Sequence, residues 1–271
     1  MRLDKLLAGY VMVTPAVISV KHVYVHKLEF ESMVECEFLA GYFLHLSRLI
    51  GENNMGDDLL ELVTNSGLRE ICDCLSSTYC IDLVKAFFCC AKWDKRDGSW
   101  VLSGAPKYVI DVEAFSAIIG VHLDGEDLDE VRANEDILLG EFNELCGVEL
   151  KKLPKLPVKA SCIKEPRWRI IHSIITTNVL CNGSNNSKIG MDDLVLMWCV
   201  RCGIKINWVQ IIYNQIGVII GGRRARTNIP FANIISVFMT NICHTQLTGF
   251  FMDPILEFNS AIFQKKGLRF Y

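Results

Sequence analysis

The sequence predicts a mainly α-helical fold, specifically a helical bundle with one small β-hairpin. Hydrophobic residues make up 51% of the 271-residue chain, which is enough to bury a sizeable core. These residues recur at helical spacing in most segments. A single Asp97-Gly98 turn signal has strand-like residues on both sides, and it predicts the hairpin.

The N-terminal half contains the first predicted helices. Apolar residues in 28–50 lie near helical spacing and predict a long amphipathic helix that Gly51 ends. A second helix is predicted after Ser77, and it gives way to the hairpin at 93–102.

A capped helix is predicted after the hairpin. Asp111 can accept hydrogen bonds from the free amides of a new first turn. Gly120 can end that helix in a left-handed conformation.

Four further helices are predicted in the C-terminal half, at 166–179, 192–202, 207–220 and 230–244. Asp192 or Asp193 is expected to cap the second of them, and Gly203 to end it. Pro230 is expected in the first turn of the fourth. The second contains LVLMWCV, which is apolar nearly all round and predicts a central position.

A subdomain boundary is predicted in the sequence KKLPKLPVK, because Pro154 and Pro157 disfavour a continuous helix. The predicted domains follow chain order. They are an unassigned helical region at 1–60, a helical subdomain with the hairpin and an acidic segment at 61–150, a basic helical subdomain at 151–250, and a C-terminal tail at 251–271.

The net charge of −3 conceals an uneven distribution. Residues 111–149 hold twelve acids against Arg132, whereas 151–226 hold thirteen Lys and Arg against three acids. This split is typical of a basic binding face, and equally of two segments that attract each other.

The order of motifs in 167–247 resembles a known family. RWRIIHSIITTNVL, MDDLVLMWCVRCGIKINWVQIIYNQIG and IPFANIISVFMTNICHTQL follow one another closely. That order is similar to the plant transposon protein domain of plant mobile-element reading frames, and the passage from LVKAFF to VEAFSAIIGVHLDGED resembles its upstream part more loosely. The resemblance implies a mobile-element origin and no established activity.

Cysteine usage favours an intracellular protein over a secreted one. Several of the twelve cysteines lie in apolar helical patterns, where a thiol is expected to be reduced and buried: Cys36, Cys80, Cys89, Cys90, Cys199 and Cys243. The start of the chain imitates a signal peptide, and glycosylation triplets begin at Asn182 and Asn185. However, Asp4 and Pro15 interrupt the signal-like pattern. No apolar run is long enough to predict a membrane span.

Cys199-x-x-Cys202 is the sharpest metal-site candidate, with Cys243-His244 as possible completing ligands. The pair lies in an apolar helix, so we predict packing, protection from alkylation and no bound metal or cofactor. Cys72-x-Cys74 and Cys89-Cys90 have no useful ligand spacing.

A mobile-element origin makes a metal-dependent transposase worth considering, since such enzymes bring carboxylates together on two metal ions. The candidate acids have simpler interpretations. Asp111 is a helix cap, Asp124 and Asp127 belong to a solvated acidic loop, and Glu141 with Glu144 lies on the polar side of a helix. We therefore predict no catalytic residues.

Known nucleophile and phosphate-loop motifs are absent from the sequence. His172 is interpreted as a packed or surface residue, and Trp168 and Trp208 as core anchors.

The sequence thus predicts a non-enzymatic binding or assembly module whose partners are unknown. The alternative is a weak, sequence-independent nucleic-acid-binding component of a mobile element, with other element-encoded proteins as further partners. Its candidate binding residues are Arg223, Arg224, Arg226, Lys151, Lys152 and Lys155. The position of these residues relative to the acids between Asp124 and Glu144 distinguishes external binding from internal pairing.

Overall fold

A computed structural model describes residues 37–38, 56–74, 79–102, 108–131, 133–180, 187–222, 228–229, 231–243 and 251–252. The predicted mainly α-helical character is confirmed. Helices are α1 Gly56–Asn65, α2 Leu68–Cys74, α3 Ile81–Cys90, α4 Val112–Ile119, α5 Glu135–Cys146, α6 Pro166–Ile174 with a π-helical continuation at Ile175–Val179, α7 Met191–Cys202, α8 Trp208–Gly221 and α9 Ala232–Cys243. Strands are β1 Glu37–Phe38, β2 Tyr79–Cys80, β3 Ala91–Asp94, β4 Ser99–Leu102, β5 Tyr108–Ile110, β6 Val158–Lys159, β7 Lys188–Ile189, β8 Asn228–Ile229 and β9 Phe251–Met252.

The chain forms two compact units that are discontinuous in sequence. Unit 1 comprises 1–41, 74–122 and 212–255, and unit 2 comprises 42–73, 123–211 and 256–271. The predicted boundary near residue 150 lies inside unit 2 rather than at an end of either unit.

The three-stranded sheet of unit 1 is antiparallel, with its strands in the order β3-β4-β5. Trp93 lies opposite Trp100 across the first pair, and Gly98 in the connecting turn has a φ of 61°. The hairpin predicted at 93–102 corresponds to β3 and β4, and the third strand, β5, was not predicted. In that strand Tyr108 and Ile110 are buried while Val109 is exposed, but three residues are too few to establish an alternating pattern in sequence.

Trp100 is the centre of an aromatic core in unit 1. Its ring stacks on Tyr213 at a centroid distance of 4.4 Å and meets three phenylalanine rings at larger angles, namely Phe87, Phe115 and Phe238. The Tyr213 hydroxyl accepts from the Trp100 amide at 3.2 Å and donates to the Ile110 carbonyl at 2.6 Å. It therefore joins α8 to two strands of the sheet, and burial raises the pKa of this phenol.

Helix α9 packs against α3, α4 and β2 in the same unit. Ser236 Oγ accepts a hydrogen bond from the Cys80 amide at 2.9 Å, and the Asn241 side chain donates to the Ile118 carbonyl at 2.6 Å. Polar groups of α9 thus satisfy backbone groups of its neighbours.

Helix α7 contacts α1, α5 and α6 in unit 2. Five of its apolar residues are buried, which agrees with the central position predicted for LVLMWCV: Leu194, Leu196, Met197, Cys199 and Val200. Trp208 is also buried, and its indole donates to the Ser66 carbonyl at 2.7 Å, as suits the core anchor predicted there.

Local helix signals were read correctly at several ends. The Asp111 side chain accepts from the Ala114 amide, and Gly120 and Gly203 end their helices in the left-handed conformation. One cap differs from the prediction. The residue that caps α7 is Gly190, rather than Asp192 or Asp193, and the Asp193 side chain accepts from the Gly190 amide at 2.6 Å. Helix α9 begins at Ala232, and Pro230 lies outside the described residues.

The long helix predicted at 28–50 is wrong at Glu37–Phe38, where the chain is extended. These two residues pair in parallel with Asn228–Ile229, so a long-range ladder overrides the local helical pattern. The rest of the predicted helix lies outside the described residues. Among the helices that the structure describes, none is both long and apolar enough to span a membrane.

Candidate functional site

Acidic and basic residues of unit 2 pair with each other. Arg201 donates through Nε to Glu141 Oε2 at 2.6 Å and through Nη1 to Glu144 Oε2 at 2.6 Å. Lys205 forms an ion pair with Asp124, and the Asn207 side chain donates through Nδ2 to Asp127 Oδ1 at 3.0 Å. The acidic segment is therefore partly neutralised inside the unit.

The backbones of these two segments also meet. The Glu126 amide donates to the Lys205 carbonyl at 2.9 Å, and the Asn207 amide donates to the Glu126 carbonyl at 3.0 Å. A Cβ on Gly125 would lie 2.6 Å from the Ile206 carbonyl carbon, and its φ is 106°. Only glycine fits this close approach.

Glu141 differs most from its prediction, because its side chain is fully buried rather than on a polar helix face. Burial raises the pKa of its carboxyl, and the Arg201 guanidinium opposes that rise. Its second oxygen, Oε1, has no hydrogen-bond partner. Arg201 is therefore the cation that offsets the cost of burying the Glu141 charge.

The lysine-bearing connector, residues 147–159, is anchored at both ends. The Asn143 side chain accepts from the Leu150 amide and donates to the Leu150 carbonyl, both at 3.0 Å. At the other end Val158–Lys159 pairs with Lys188–Ile189 in an antiparallel ladder. The connector is therefore a loop fixed on unit 2, not a free linker between domains.

Lys151, Lys152 and Lys155 lie on this connector, and all three side chains are exposed. Among the residues that the structure describes, none of the three forms an ion pair with an acid. They differ in this respect from Arg201 and Lys205. The other candidate residues, Arg223, Arg224 and Arg226, lie outside the described residues.

The Cys199-x-x-Cys202 pair is divided by its environment. Cys199 is buried and burial raises the pKa of its thiol to about 12, whereas Cys202 is exposed. The exposure of Cys202 contradicts the protection from alkylation that was predicted for it. Cys202 is the last residue of α7, and Gly203 ends the helix directly after it. Cys243 closes α9 and His244 lies outside the described residues.

The acids considered for transposase chemistry have other partners. Asp111 caps α4, Asp124 pairs with Lys205, Asp127 with Asn207, and Glu141 with Arg201. Within the described part of the chain, no three His, Cys, Asp or Glu side chains are grouped to hold a metal ion.

His172 and Trp168 are packed residues of α6. His172 is buried, and its Nε2 donates to the Lys188 carbonyl at 3.1 Å. Trp168 is buried as well, with the Arg167 guanidinium 5.8 Å from its ring centroid. A packed role for these residues agrees with the sequence interpretation.

An open cleft of about 540 Å³ lies beside Trp168 in unit 2. Its charged lining is mixed, with Arg167 and Arg201 facing Asp58, Glu61 and Glu144. Arg167 pairs with Glu165 at 2.7 Å and with Asp58 at 3.7 Å. Both arginines of the cleft are therefore already neutralised.

Sequence reasoning missed the pair Cys146 and Cys162, whose sulfur atoms lie 3.0 Å apart. Their separation of sixteen positions matches no short motif, so no local signal marks them.

No family model, curated protein or solved structure matches the chain in comparisons with known proteins. The resemblance of 167–247 to plant transposon proteins thus stays a prediction.

Proposed function

We propose that this chain is a non-enzymatic binding module of plant mobile-element origin, built as helical bundles with a small hairpin-based sheet. The lysine-bearing connector supplies its contact surface. Nucleic-acid phosphate is the partner class that its charge favours, and assembly with other element-encoded proteins is the alternative.

The exposure of Lys151, Lys152 and Lys155 without described acidic partners is the observation that carries this proposal. Lysines in this state can reach phosphates and release counterions. Arg201 and Lys205 are less suited, because they already pair with Glu141, Glu144 and Asp124.

The connector supports affinity rather than sequence reading. Its lysine-bearing stretch, residues 151–157, has neither helix nor strand, so it presents no helix or ribbon to a groove. Binding is therefore expected to be indifferent to sequence and steeply dependent on salt. About three phosphate contacts correspond to a log–log salt slope of roughly −3 on duplex DNA.

The test is fluorescence anisotropy with labelled duplexes of two unrelated sequences across a salt series. A Lys151→Ala, Lys152→Ala, Lys155→Ala triple variant is expected to lose most of the salt slope, at about one unit for each lysine. The matched control removes the same charge from exposed residues of the β3–β4 segment, as Lys92→Ala, Lys95→Ala, Arg96→Ala.

Equal slopes for the two triple variants would exclude the connector as the binding surface. A third variant, Arg223→Ala, Arg224→Ala, Arg226→Ala, tests the other predicted residues separately. If wild-type protein shows no measurable affinity at low salt, assembly with proteins becomes the better hypothesis.

A further inference from the structure

Cys146 and Cys162 lie together at the base of the lysine-bearing connector. Cys146 is the last residue of α5, and Cys162 ends a 3-10 turn at Ala160–Cys162. Their sulfur atoms are 3.0 Å apart. A disulfide bond is about 2.05 Å long, so the sulfurs need to approach by only about 1 Å.

Two hydrogen bonds hold the neighbours of these cysteines together. The Lys164 amide donates to the Leu145 carbonyl at 2.9 Å, and Lys164 Nζ donates to the Gly147 carbonyl at 2.9 Å. Residues 145–147 and 162–164 therefore run side by side. These contacts keep the two sulfur atoms within about 1 Å of bonding distance.

The two thiols differ in access to solvent. Cys146 is buried, and burial together with the neighbouring Cys162 raises the pKa of its thiol to about 12. Cys162 is half-buried. An oxidant in solution therefore meets Cys162 first, and Cys146 is positioned to react second.

We propose that Cys146 and Cys162 form a reversible disulfide by exchange with a low-molecular-weight disulfide such as glutathione disulfide. The Cys162 thiolate attacks one sulfur of the oxidant, and one glutathione thiolate leaves. Cys146 then gives up its proton and attacks the Cys162 sulfur, which releases the second glutathione. Two protein thiols become one disulfide, and one glutathione disulfide becomes two glutathione thiols.

The crosslink closes a covalent loop around residues 147–161, which contains the connector lysines. Oxidation would fix both ends of the connector, in addition to the hydrogen bonds that hold them in the reduced protein. This modification site does not depend on the proposed function, since it follows from the sulfur geometry alone.

The test equilibrates the reduced full-length protein with glutathione disulfide, quenches with acid and alkylates the remaining thiols. Tryptic digestion without reductant is expected to give peptides 133–151 and 160–164 as a linked pair, lighter by two hydrogen atoms than their sum. Adding reductant before alkylation should separate the pair and label both peptides.

Cys162→Ser is expected to abolish the linked pair. Cys202→Ser removes an exposed thiol elsewhere in unit 2 and should leave the linked fraction unchanged. The proposal is overturned if Cys202 of the wild type acquires glutathione while Cys146 stays open to alkylation. Linkage of Cys146 to any peptide other than 160–164 would also overturn it, and neither outcome depends on a variant folding.

Discussion

At the scale of single residues, unit 2 contains two carboxylates whose surroundings disfavour their charge. Glu141 is fully buried with one cation beside it, and Asp193 is buried with a backbone amide as its partner. One oxygen of each carboxylate has no hydrogen-bond partner. Such groups make stability sensitive to the loss of a partner and to pH.

Replacing Arg201 by Met is expected to destabilise the protein by about 2–4 kcal/mol, because it leaves Glu141 buried without a cation. The matched control is Arg167→Met, whose partners Glu165 and Asp58 are 57% and 66% exposed. That change should cost less than about 1 kcal/mol. Urea denaturation measures both free energies of unfolding.

The double variant Glu141→Leu, Arg201→Met removes the buried charge along with its partner. It is expected to recover much of the lost stability, since apolar packing can replace a buried ion pair. Equal losses for Arg201→Met and Arg167→Met would contradict the importance of Glu141 burial.

The free energy of unfolding should depend on pH through the ionisation of Asp193. Burial raises the pKa of this carboxyl from 3.8 to about 6 in the folded protein. Between about pH 4 and pH 6 the folded state therefore binds more protons than the unfolded state. The contribution of Asp193 to the free energy of unfolding is fully present below pH 4 and is lost as pH rises to 6. The loss is on the order of 2–3 kcal/mol.

Asp193→Asn should remove this dependence, while its side-chain oxygen can still accept from the Gly190 amide. The measurement compares urea denaturation of the wild type and the variant at intervals from pH 3.5 to 7, a range that includes both the ordinary pKa of 3.8 and the raised pKa of about 6. A constant difference in free energy across that range would mean that Asp193 does not titrate as described.

At the scale of elements, two helix glycines have opposite surroundings. In α8, a Cβ on Gly217 would lie 2.6 Å from the Trp93 ring of β3. In α5, a Cβ on Gly140 would meet no atom within 4 Å. The first glycine permits close packing of a helix on a strand, whereas the second only weakens its helix.

Gly140→Ala is expected to stabilise the protein by up to about 1 kcal/mol through helix propensity. Gly217→Ala gains the same propensity but forces the Trp93 ring to move, and overpacking of this kind costs about 1–3 kcal/mol. Thermal unfolding of the two variants should therefore shift in opposite directions. Stabilisation by both would show that Trp93 moves without cost.

Helix caps and ends, which depend on residues a few positions apart, could be predicted from the sequence. Contacts between residues far apart in the chain could not. Asp111 and the Ala114 amide are three positions apart, and Gly203 directly follows its helix, so capping chemistry predicted both. Arg201 and Glu141 are sixty positions apart, and the fold alone brings them together. The same reason explains the missed sulfur pair and the incorrect helix at Glu37–Phe38.

At the scale of the whole molecule, the chain does not divide where its composition changes. Unit 1 takes α9 from the C-terminal part and combines it with α3 and α4 from the N-terminal half. Phe238 of α9 has its ring 5.8 Å from Phe87 and 5.5 Å from Phe115. The proline-containing connector is therefore a poor place to cut the chain.

A fragment containing only residues 151–271 is expected to lack cooperative unfolding, because α9 loses its partners α3 and α4. Calorimetry of this fragment and of the full chain measures the difference. Co-expression with residues 1–150 should restore the transition if the two pieces reassemble. A sharp transition in the fragment alone would support the domain boundary predicted from sequence.

The ring arrangement around Trp100 gives unit 1 an optical signature. Trp100 is fully buried, and its indole is tilted by only 15° from the Tyr213 phenol that it stacks on. Chromophores fixed this closely in an asymmetric setting couple strongly and produce intense near-ultraviolet circular dichroism. Unit 2 contains Trp168, Trp198 and Trp208, and no comparable stack is found there among the described residues. Loss of that band would therefore report the melting of unit 1 by spectroscopy alone, without any added label.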